Sequence, residues 1–255
     1  MNKPTFLKYD TPLLCAMILC PTPKECIDKI KRSLEGGAEA IGIQLDTLRR
    51  EYRTPEILKE IFAACEGKPI YVTSYRGGES TGMSDEECVS LLLLALDCGA
   101  TLIDIMGDTF GRSSQYEIAD DPVAIARQKE LIDEIHRRGG EVLMSSHTHK
   151  STSFEENIMM AKAQIERGTD IIKIVNKAAS SDEIMTYLRA IEEIVKMTDK
   201  KLLFLVSGEG RLIRYIGPSF GVCMYLCVET HGELDAVAQP TLREAKAIRD
   251  NIIFK

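Results

Sequence analysis

Eight short apolar runs recur along the chain, each followed by an amphipathic segment, and this alternation restricts the fold more than any other feature. The predicted strands are residues 13–20, 40–46, 69–75, 101–106, 141–147, 171–175, 201–206 and 222–228. The predicted helices are residues 23–35, 55–65, 84–97, 122–138, 153–167, 181–197, 212–216 and 242–252. Such alternation predicts a parallel sheet. Eight units in 255 residues favour a closed (β/α)8 TIM barrel over an open doubly wound sheet.

Composition narrows the remaining classes of protein. No linker or low-complexity segment interrupts the pattern, so we expect one domain over residues 1–255. A net charge of −7 without a basic patch argues against nucleic acid or an anionic membrane as a partner. No run reaches the ~18 apolar residues that a membrane-spanning helix needs. The eight cysteines form no Cys-x2-Cys pair and suit a reducing compartment, so a cytoplasmic location is expected. A homodimer through the outer helices is the default expectation for such a barrel.

Barrel enzymes carry their chemistry at the carboxyl ends of the strands and in the loops that follow. Polar side chains at those positions are therefore the candidates for a functional site. They are Gln44, Asp46, Arg76, Glu79, Asp104, Asp108, Ser145, His147, His149, Lys173, Arg211, Arg214, Asp235 and Gln239.

Lys173 lies inside the apolar run 171–175, where both faces of a parallel strand are buried. A buried lysine is costly unless it is paired or neutral. Desolvation favours the neutral amine, whose lone pair attacks ketones and aldehydes. The alternatives are a side chain that extends past the strand end and one that pairs with a buried carboxylate.

His147 and His149 end the fifth run and share a strand face because they are two residues apart. An imidazole at this edge is suited to proton transfer near neutral pH, and the next strand carries Lys173. Two alternatives stay open: a loop histidine bonded to a backbone carbonyl, and a divalent-metal site. The acids that would complete such a metal site are Asp46, Asp104 and Glu229. A lysine in the adjacent strand disfavours a cation, so no metal is predicted.

Two segments that follow strands carry arginines. Arg76 and Glu79 flank two glycines after the third run; the arginine offers a fork for a carboxylate, and the glutamate is a candidate to orient an imidazole. Arg211 and Arg214 follow the seventh run and share one side of a helical turn, so one of them is a candidate to bind an anionic substrate. The alternatives are a solvated turn at 76–79 and a solvated arginine pair, above all at Arg211.

Six motifs occur in a characteristic order. They are Arg76-Gly77-Gly78-Glu79, Met144-Ser145-Ser146-His147, Asp170-Ile171-Ile172-Lys173-Ile174, Ser207-Gly208-Glu209-Gly210-Arg211-Leu212-Ile213-Arg214, Gly217-Pro218-Ser219-Phe220-Gly221 and Ala238-Gln239-Pro240. Together they resemble type I 3-dehydroquinate dehydratase, the Schiff-base barrel enzyme of the shikimate pathway. The resemblance spans nearly the whole chain.

This resemblance implies that Lys173 forms an imine with the substrate ketone. It implies that His147 removes the proton beside the imine and delivers one to the departing hydroxyl, and that Arg214 binds the substrate carboxylate. The other site residues that it implies are Arg76, Gln239, Ser219 and, as the acid that supports the histidine, Glu79.

Two regions depart from the family pattern. The family has Glu-x-Arg at the end of strand two, where this chain has Gly42 and Gln44, so two contacts with substrate hydroxyls are missing. In the last loop, Asp235 replaces a serine that helps to close over the substrate. A carboxylate there would repel an anionic ligand by roughly a few kcal/mol if desolvated. We therefore expect Gln44 and Asp235 to face the substrate and to alter specificity.

These residues predict a dehydratase that acts on a small hydroxy-keto acid and needs no cofactor, because the lysine supplies the electron sink. Three alternatives remain. An imine-forming aldolase or lyase on another hydroxy-keto substrate is favoured by Gly42, Gln44 and Asp235. A metal-dependent isomerase would use His147 and His149. A binding protein without activity is disfavoured because the lysine, the histidine and two arginines are all retained.

Overall fold

The chain folds into eight parallel strands alternating with eight helices, and the computed structural model describes residues 4–113 and 115–252. The strands are β1 Leu13–Ile18, β2 Ala40–Gln44, β3 Ile70–Thr73, β4 Leu102–Met106, β5 Glu141–His147, β6 Ile171–Ala178, β7 Lys201–Gly208 and β8 Met224–Cys227. The helices are α1 Pro23–Glu35, α2 Pro55–Ala63, α3 Asp85–Cys98, α4 Pro122–Arg137, α5 Phe154–Arg167, α6 Glu183–Met197, α7 Ile213–Ile216 and α8 Leu242–Arg249.

The strands follow one another around a nearly closed barrel in the order β7-β6-β5-β4-β3-β2-β1-β8. Between the two ends of this sheet, Leu202 and Val222 form a parallel bridge, and the Cys223 amide donates to the Leu202 carbonyl at 2.7 Å. The (β/α)8 prediction is therefore confirmed, and the carboxyl ends of all eight strands meet at one end of the barrel.

Local sequence explains where the helices begin and end. Ser84 and Glu87 form the predicted capping box at the start of α3, which satisfies free backbone amides of the first turn. At the ends of α3 and α5, Gly99 and Gly168 have φ values of 121° and 96°, which a side chain would make unfavourable.

Successive side chains along each strand point alternately into the barrel interior and outward, towards the layer that packs against the helices. Gly42 pairs with Tyr71, and a Cβ on Gly42 would lie 3.1 Å from the tyrosine ring, so these positions face inward together. Ser145 pairs with Lys173 at the same level and also faces inward. The intervening residues, among them Ile41, Ile43, Val72 and Ile103, belong to a separate apolar cluster with the helices.

Two further observations concern the cysteines and the possibility of a membrane-spanning helix. All eight cysteines carry free thiols. Across the described residues, no helix has both the length and the apolar character needed to cross a membrane.

Candidate active site

Lys173 is the centre of a buried polar cluster inside the barrel. Its Nζ atom donates hydrogen bonds to Asp104 Oδ2 at 2.9 Å, to the Tyr71 hydroxyl at 3.0 Å and to the Tyr75 hydroxyl at 2.5 Å. The lysine side chain is 3% exposed and that of Asp104 is 1% exposed, so solvent scarcely reaches the pair. The predicted burial of Lys173 is therefore confirmed, and so is the alternative of a buried carboxylate partner.

Asp104 accepts hydrogen bonds from three hydroxyl groups in addition to the lysine. Tyr71 and Tyr75 donate to its Oδ2 atom at 2.5 Å and 2.9 Å, and Ser145 donates to Oδ1 at 2.6 Å. Burial acts to raise the pKa of Asp104, but the charges of Lys173 and His147 and the donated hydrogen bonds outweigh it and lower the pKa below its ordinary value. Before substrate binds, the carboxylate form of Asp104 is thus favoured beside the amine.

His147 stands at the end of β5, next to the lysine cluster. Its Nδ1 atom lies 3.1 Å and 3.2 Å from the two carboxylate oxygens of Glu117, and its backbone amide donates to the same carboxylate at 3.3 Å. The Tyr75 ring packs edge-on against the imidazole with 4.9 Å between centroids. A carboxylate on Nδ1 orients the ring and leaves Nε2 as the nitrogen for proton transfer.

Glu117, which the sequence patterns missed, occupies the position predicted for Glu79. The loop between β4 and α4 brings it there with a φ of 50°. Buried Arg167 of α5 fixes that loop by donating to the Ala119 carbonyl at 2.6 Å. A Cβ on Gly107 would lie 2.5 Å from the Glu117 carbonyl, so glycine permits the close approach.

Glu79 itself lies in a short 3-10 turn, Gly78–Ser80, where its carbonyl accepts from Arg50 at 2.6 Å. The prediction that Glu79 supports His147 is wrong. The loop after β3 directs the Glu79 side chain towards a groove between the ends of β1 and β2 and the last loop.

The backbone of Lys173 is held from outside the barrel by Gln164 of α5. The Gln164 side chain donates to the Lys173 carbonyl and accepts from its amide, both at 3.0 Å, and it also donates to Ser146 at 2.9 Å. These bonds fix the position of Lys173 along the barrel axis relative to β5. They therefore also fix its position relative to His147.

A cavity of about 120 Å³ opens above the lysine. Its walls combine the two predicted catalytic residues with a few polar groups and several apolar side chains. They are Met17, Gln44, Tyr75, His147, Lys173, Val175, Leu205, Arg214, Leu226 and Gln239. The predicted Lys173, His147, Arg214, Gln44 and Gln239 thus share one cavity.

Arg214 and Gln239 bring unused hydrogen-bonding capacity to this cavity. Arg214 donates from Nε to the Val206 carbonyl at 2.8 Å, which leaves both Nη groups without a partner among the described residues. Burial lowers the pKa of Arg214 to about 10, so the guanidinium remains charged at neutral pH. The buried Oε1 atom of Gln239 also lacks a partner among the residues described. Both groups are available to a ligand.

Arg76 does not line the cavity, which contradicts its predicted contact with substrate. Its guanidinium bonds Asp85 at 2.9 Å and 3.0 Å and Asp108 at 2.6 Å. Strand alternation is the reason, because Tyr71 and Tyr75 continue the inward face of β3 and Arg76 falls on the outward face. Tyr75 stands where an arginine was expected.

Gln44 faces the cavity as predicted, but the space beside it is filled. The Gln44 amide donates to Asp46 Oδ2 at 3.0 Å. A Cβ on Gly42 would lie 2.2 Å from the sulfur of Met17, so the methionine occupies the room that a larger side chain at position 42 would need. This wall of the cavity is consequently apolar.

Asp235 does not face the cavity, which contradicts the predicted repulsion of substrate. Lys29 of α1 bonds both of its carboxylate oxygens, at 2.9 Å and 2.8 Å, and the Gly232 amide donates to it at 2.9 Å. The aspartate side chain is 1% exposed. Its charge is neutralised by the lysine, and the pair attaches the last loop to α1.

Ser219 lies at the opposite end of the barrel, so its predicted contact with substrate is wrong. It is exposed in the 3-10 turn Gly217–Phe220, which precedes β8, and it borders a groove with Lys201 and Pro12 at strand starts. Residues before a strand lie at the amino end of a parallel barrel, away from the chemistry. Arg211 is exposed and bonds Tyr215 at 3.2 Å, in keeping with the solvated alternative.

His149 stacks near His147 with 6.2 Å between ring centroids. Within the described part of the chain, no three His, Cys, Asp or Glu side chains are placed to bind one metal ion.

Comparison with known proteins places this geometry in a family. Residues 14–252 match the family model of type I 3-dehydroquinase. The 3-dehydroquinate dehydratase of Klebsiella pneumoniae subsp. pneumoniae is 26% identical over 254 residues, covering 96% of this chain and 95% of its own. The type I 3-dehydroquinate dehydratase structure from Clostridium difficile superposes with a TM-score of 0.78 at 19% identity, covering 96% of this chain and 93% of that one. The Geobacillus kaustophilus 3-dehydroquinate dehydratase gives a TM-score of 0.81 at 15% identity, covering 94% and 91%.

Proposed function

The chain belongs to the type I 3-dehydroquinase family of carbon–oxygen lyases, and from this premise we propose that it dehydrates 3-dehydroquinate to 3-dehydroshikimate through an imine on Lys173. The observation that carries the proposal is the shared cavity of Lys173 and His147. A nucleophilic amine and an oriented imidazole at one ketone-sized space are what an imine-based elimination requires.

In this mechanism the amine first condenses with the substrate ketone and releases water. The protonated imine then withdraws electrons, so that the adjacent C–H bond becomes acidic. His147 removes that proton through Nε2, while Glu117 stabilises the imidazolium that forms. The electrons move to form the new C=C bond as the β-hydroxyl leaves with the proton from His147. Hydrolysis of the imine then frees the enone and restores Lys173.

Arg214 is the proposed partner of the substrate carboxylate. Its unpartnered Nη groups can form the paired hydrogen bonds that a carboxylate accepts. The buried Oε1 atom of Gln239 can accept a hydrogen bond from a substrate hydroxyl. Two polar groups with unused hydrogen-bonding capacity thus share the cavity with the amine.

A second candidate retains the imine but changes the substrate to another hydroxy-keto acid, which would make the chain a divergent lyase or aldolase. The observation in its favour is the apolar wall formed where Met17 fills the space beside Gly42. Substrate hydroxyls directed at that wall would lose hydrogen bonds, and such a loss disfavours a polyhydroxylated ring.

Turnover of 3-dehydroquinate, followed by the ultraviolet absorbance of the conjugated product, separates the two candidates. The proposal predicts product formation by the wild type, and none above background with Lys173→Met. Arg211→Ala is the matched surface control and should leave the rate unchanged, since that side chain is exposed away from the cavity. A wild type that folds normally yet forms no product from 3-dehydroquinate would overturn the first candidate and favour the second.

A further inference from the structure

We propose that Tyr75 is a catalytic residue of imine formation, and that its hydroxyl relays protons between the Asp104–Lys173 pair and the carbonyl oxygen of the substrate. The proposal rests on the proposed imine at Lys173. It adds a proton carrier for the step that precedes the chemistry of His147.

The hydrogen bonds of Lys173 show why a carrier is needed. A protonated lysine has three N–H donors, and Asp104, Tyr71 and Tyr75 accept one each. Both tyrosines donate their single proton to Asp104 in turn. In this arrangement every donor is used and the amine has no lone pair, so attack on a ketone requires a proton to leave the nitrogen.

Only one member of this cluster besides the lysine reaches the substrate space. Tyr75 lines the cavity, whereas Tyr71 and Asp104 lie beneath it and do not. The Tyr75 hydroxyl lies 2.5 Å from Nζ and 2.9 Å from Asp104 Oδ2, and its ring contacts His147. Tyr75 is therefore the hydroxyl in position to touch both the reacting nitrogen and a bound carbonyl oxygen.

Tyr75 enters the reaction as a proton donor. Burial, followed by the negative charge of Asp104, raises its pKa well above the ordinary value. The phenol consequently holds its proton at rest and becomes a strong base once that proton has been given away, which suits a group that must alternate between the two roles.

The proposed steps balance in atoms and charge. Lys173 passes one proton to Asp104, and the neutral amine forms a bond to the carbonyl carbon. The carbonyl electrons move to oxygen, which takes the Tyr75 proton, and the phenolate then takes a proton from the new C–N ammonium to leave a carbinolamine. Tyr75 next protonates the carbinolamine hydroxyl, the C–O bond breaks to release water, and the nitrogen lone pair forms the protonated imine. Asp104 returns its proton to Tyr75, and the carboxylate is restored.

The test is the rate of imine formation, measured by mixing enzyme with 3-dehydroquinate and quenching with borohydride after milliseconds to seconds. Intact-protein mass spectrometry then gives the fraction of chains that carry the reduced adduct. Tyr75→Phe retains the ring against His147 and removes the hydroxyl. We expect it to lower the rate constant of adduct formation by about tenfold to a hundredfold, with the same final fraction labelled.

Tyr71→Phe is the matched control, because it removes a hydroxyl with the same two partners but without access to the cavity. It should lower the rate constant much less than Tyr75→Phe. Equal losses in the two variants would reduce Tyr75 to a structural support of the lysine and overturn the relay, as would a Tyr75→Phe variant that labels at the wild-type rate. Failure of the wild type to label would instead refute the imine itself, so the two ideas fail separately.

Discussion

At the scale of single residues, the site depends on buried polar side chains that have partners. Lys173 and Asp104 form an ion pair inside the barrel, and His147 is held by Glu117. Removing one partner of such a pair leaves the other uncompensated, which costs about 3–5 kcal/mol in a fully buried case. The arrangement therefore fixes where the amine and the imidazole stand before any substrate arrives.

Replacement of Glu117 tests the orientation of the imidazole. Glu117→Gln keeps the shape of the side chain but removes the charge that stabilises a protonated His147. We expect kcat for dehydration to fall by about tenfold or more with little change in KM, because the interaction strengthens in the transition state. Steady-state kinetics on the purified variant, with its fold verified by circular dichroism, measure the effect.

Glu79→Gln is the matched control for that experiment. The sequence alone assigns the supporting role to Glu79, whereas in the structure Glu117 bonds the imidazole. Glu79→Gln should keep kcat within about twofold of the wild type, as expected for a surface change away from the reacting groups. A larger loss of kcat in Glu79→Gln than in Glu117→Gln would reverse the assignment.

Some of these residues are visible in the sequence and some are not. The alternation of β3 and the segment after it already places Tyr71 and Tyr75 on the face opposite Arg76, so the arginine's absence from the cavity follows from strand geometry. The family resemblance favoured Arg76 as a substrate-binding residue, although the alternation of the strand places it on the outward face. Glu117 gave no such pattern, because it lies in a loop with a left-handed φ of 50° and is positioned by the distant Arg167.

At the scale of elements, the last loop is attached to α1 by a buried ion pair. Lys29 bonds Asp235, and the same loop carries Gln239 into the cavity four residues later. The pair links the position of a substrate-facing amide to a helix on the outside of the barrel. It also explains how an aspartate is tolerated where a serine was expected.

Replacement of Lys29 tests this attachment. Lys29→Met leaves the Asp235 carboxylate buried without its partner, a change that costs about 3–5 kcal/mol unless the loop opens to solvent. We expect faster proteolytic cleavage within residues 229–239 and a raised KM, because Gln239 leaves the cavity. Limited proteolysis followed by mass spectrometry locates the cleavage, and initial-rate kinetics give KM.

The double variant Lys29→Met with Asp235→Leu is the control, because it removes both charges. It should recover most of the protease resistance, since two apolar side chains of similar volume replace a buried ion pair at little cost. If the single variant is as resistant as the wild type, the ion pair does not hold the loop.

The strands and helices themselves were predictable because their patterns are local. Each begins and ends within a few residues of the apolar run or the cap that predicts it, as at Ser84 and Gly168. Contacts between elements were not predictable. The Lys29–Asp235 pair joins residues 206 positions apart, and no periodic pattern relates them.

At the scale of the whole molecule, the two ends of the barrel carry different structural features. The carboxyl ends of the strands carry the cavity, whereas the amino ends carry contacts that join helices to strands. There His136 of α4 bonds Asp170 at 2.8 Å, and the same carboxylate oxygen accepts from the Val142 amide at 2.8 Å. The expected cytoplasmic location and homodimer remain predictions at this scale.

Stability should depend on pH through this amino-end pair. The hydrogen bond with Asp170 raises the pKa of His136, against the opposing effect of burial. A raised folded-state pKa contributes stability that is complete below the unfolded value of about 6.5 and is lost as pH rises through the folded value. We expect His136→Gln to lower the free energy of unfolding near pH 6 and to have a smaller effect near pH 8.5.

Urea unfolding at the two pH values measures this difference, which solvent screening should hold to about 1 kcal/mol or less because the imidazole is 37% exposed. In an Asp170→Asn background the same histidine replacement should show no such dependence on pH. A destabilisation by His136→Gln that grows as pH rises would have the wrong sign and would contradict the pairing.

The measurement that tests the central claim most directly is borohydride reduction of the enzyme at equilibrium with 3-dehydroquinate, followed by peptide mapping. An imine on Lys173 predicts one stable adduct, located on the peptide that spans β6 and absent when substrate or borohydride is omitted. An unmodified β6 peptide, or an adduct on another lysine, would contradict the claim.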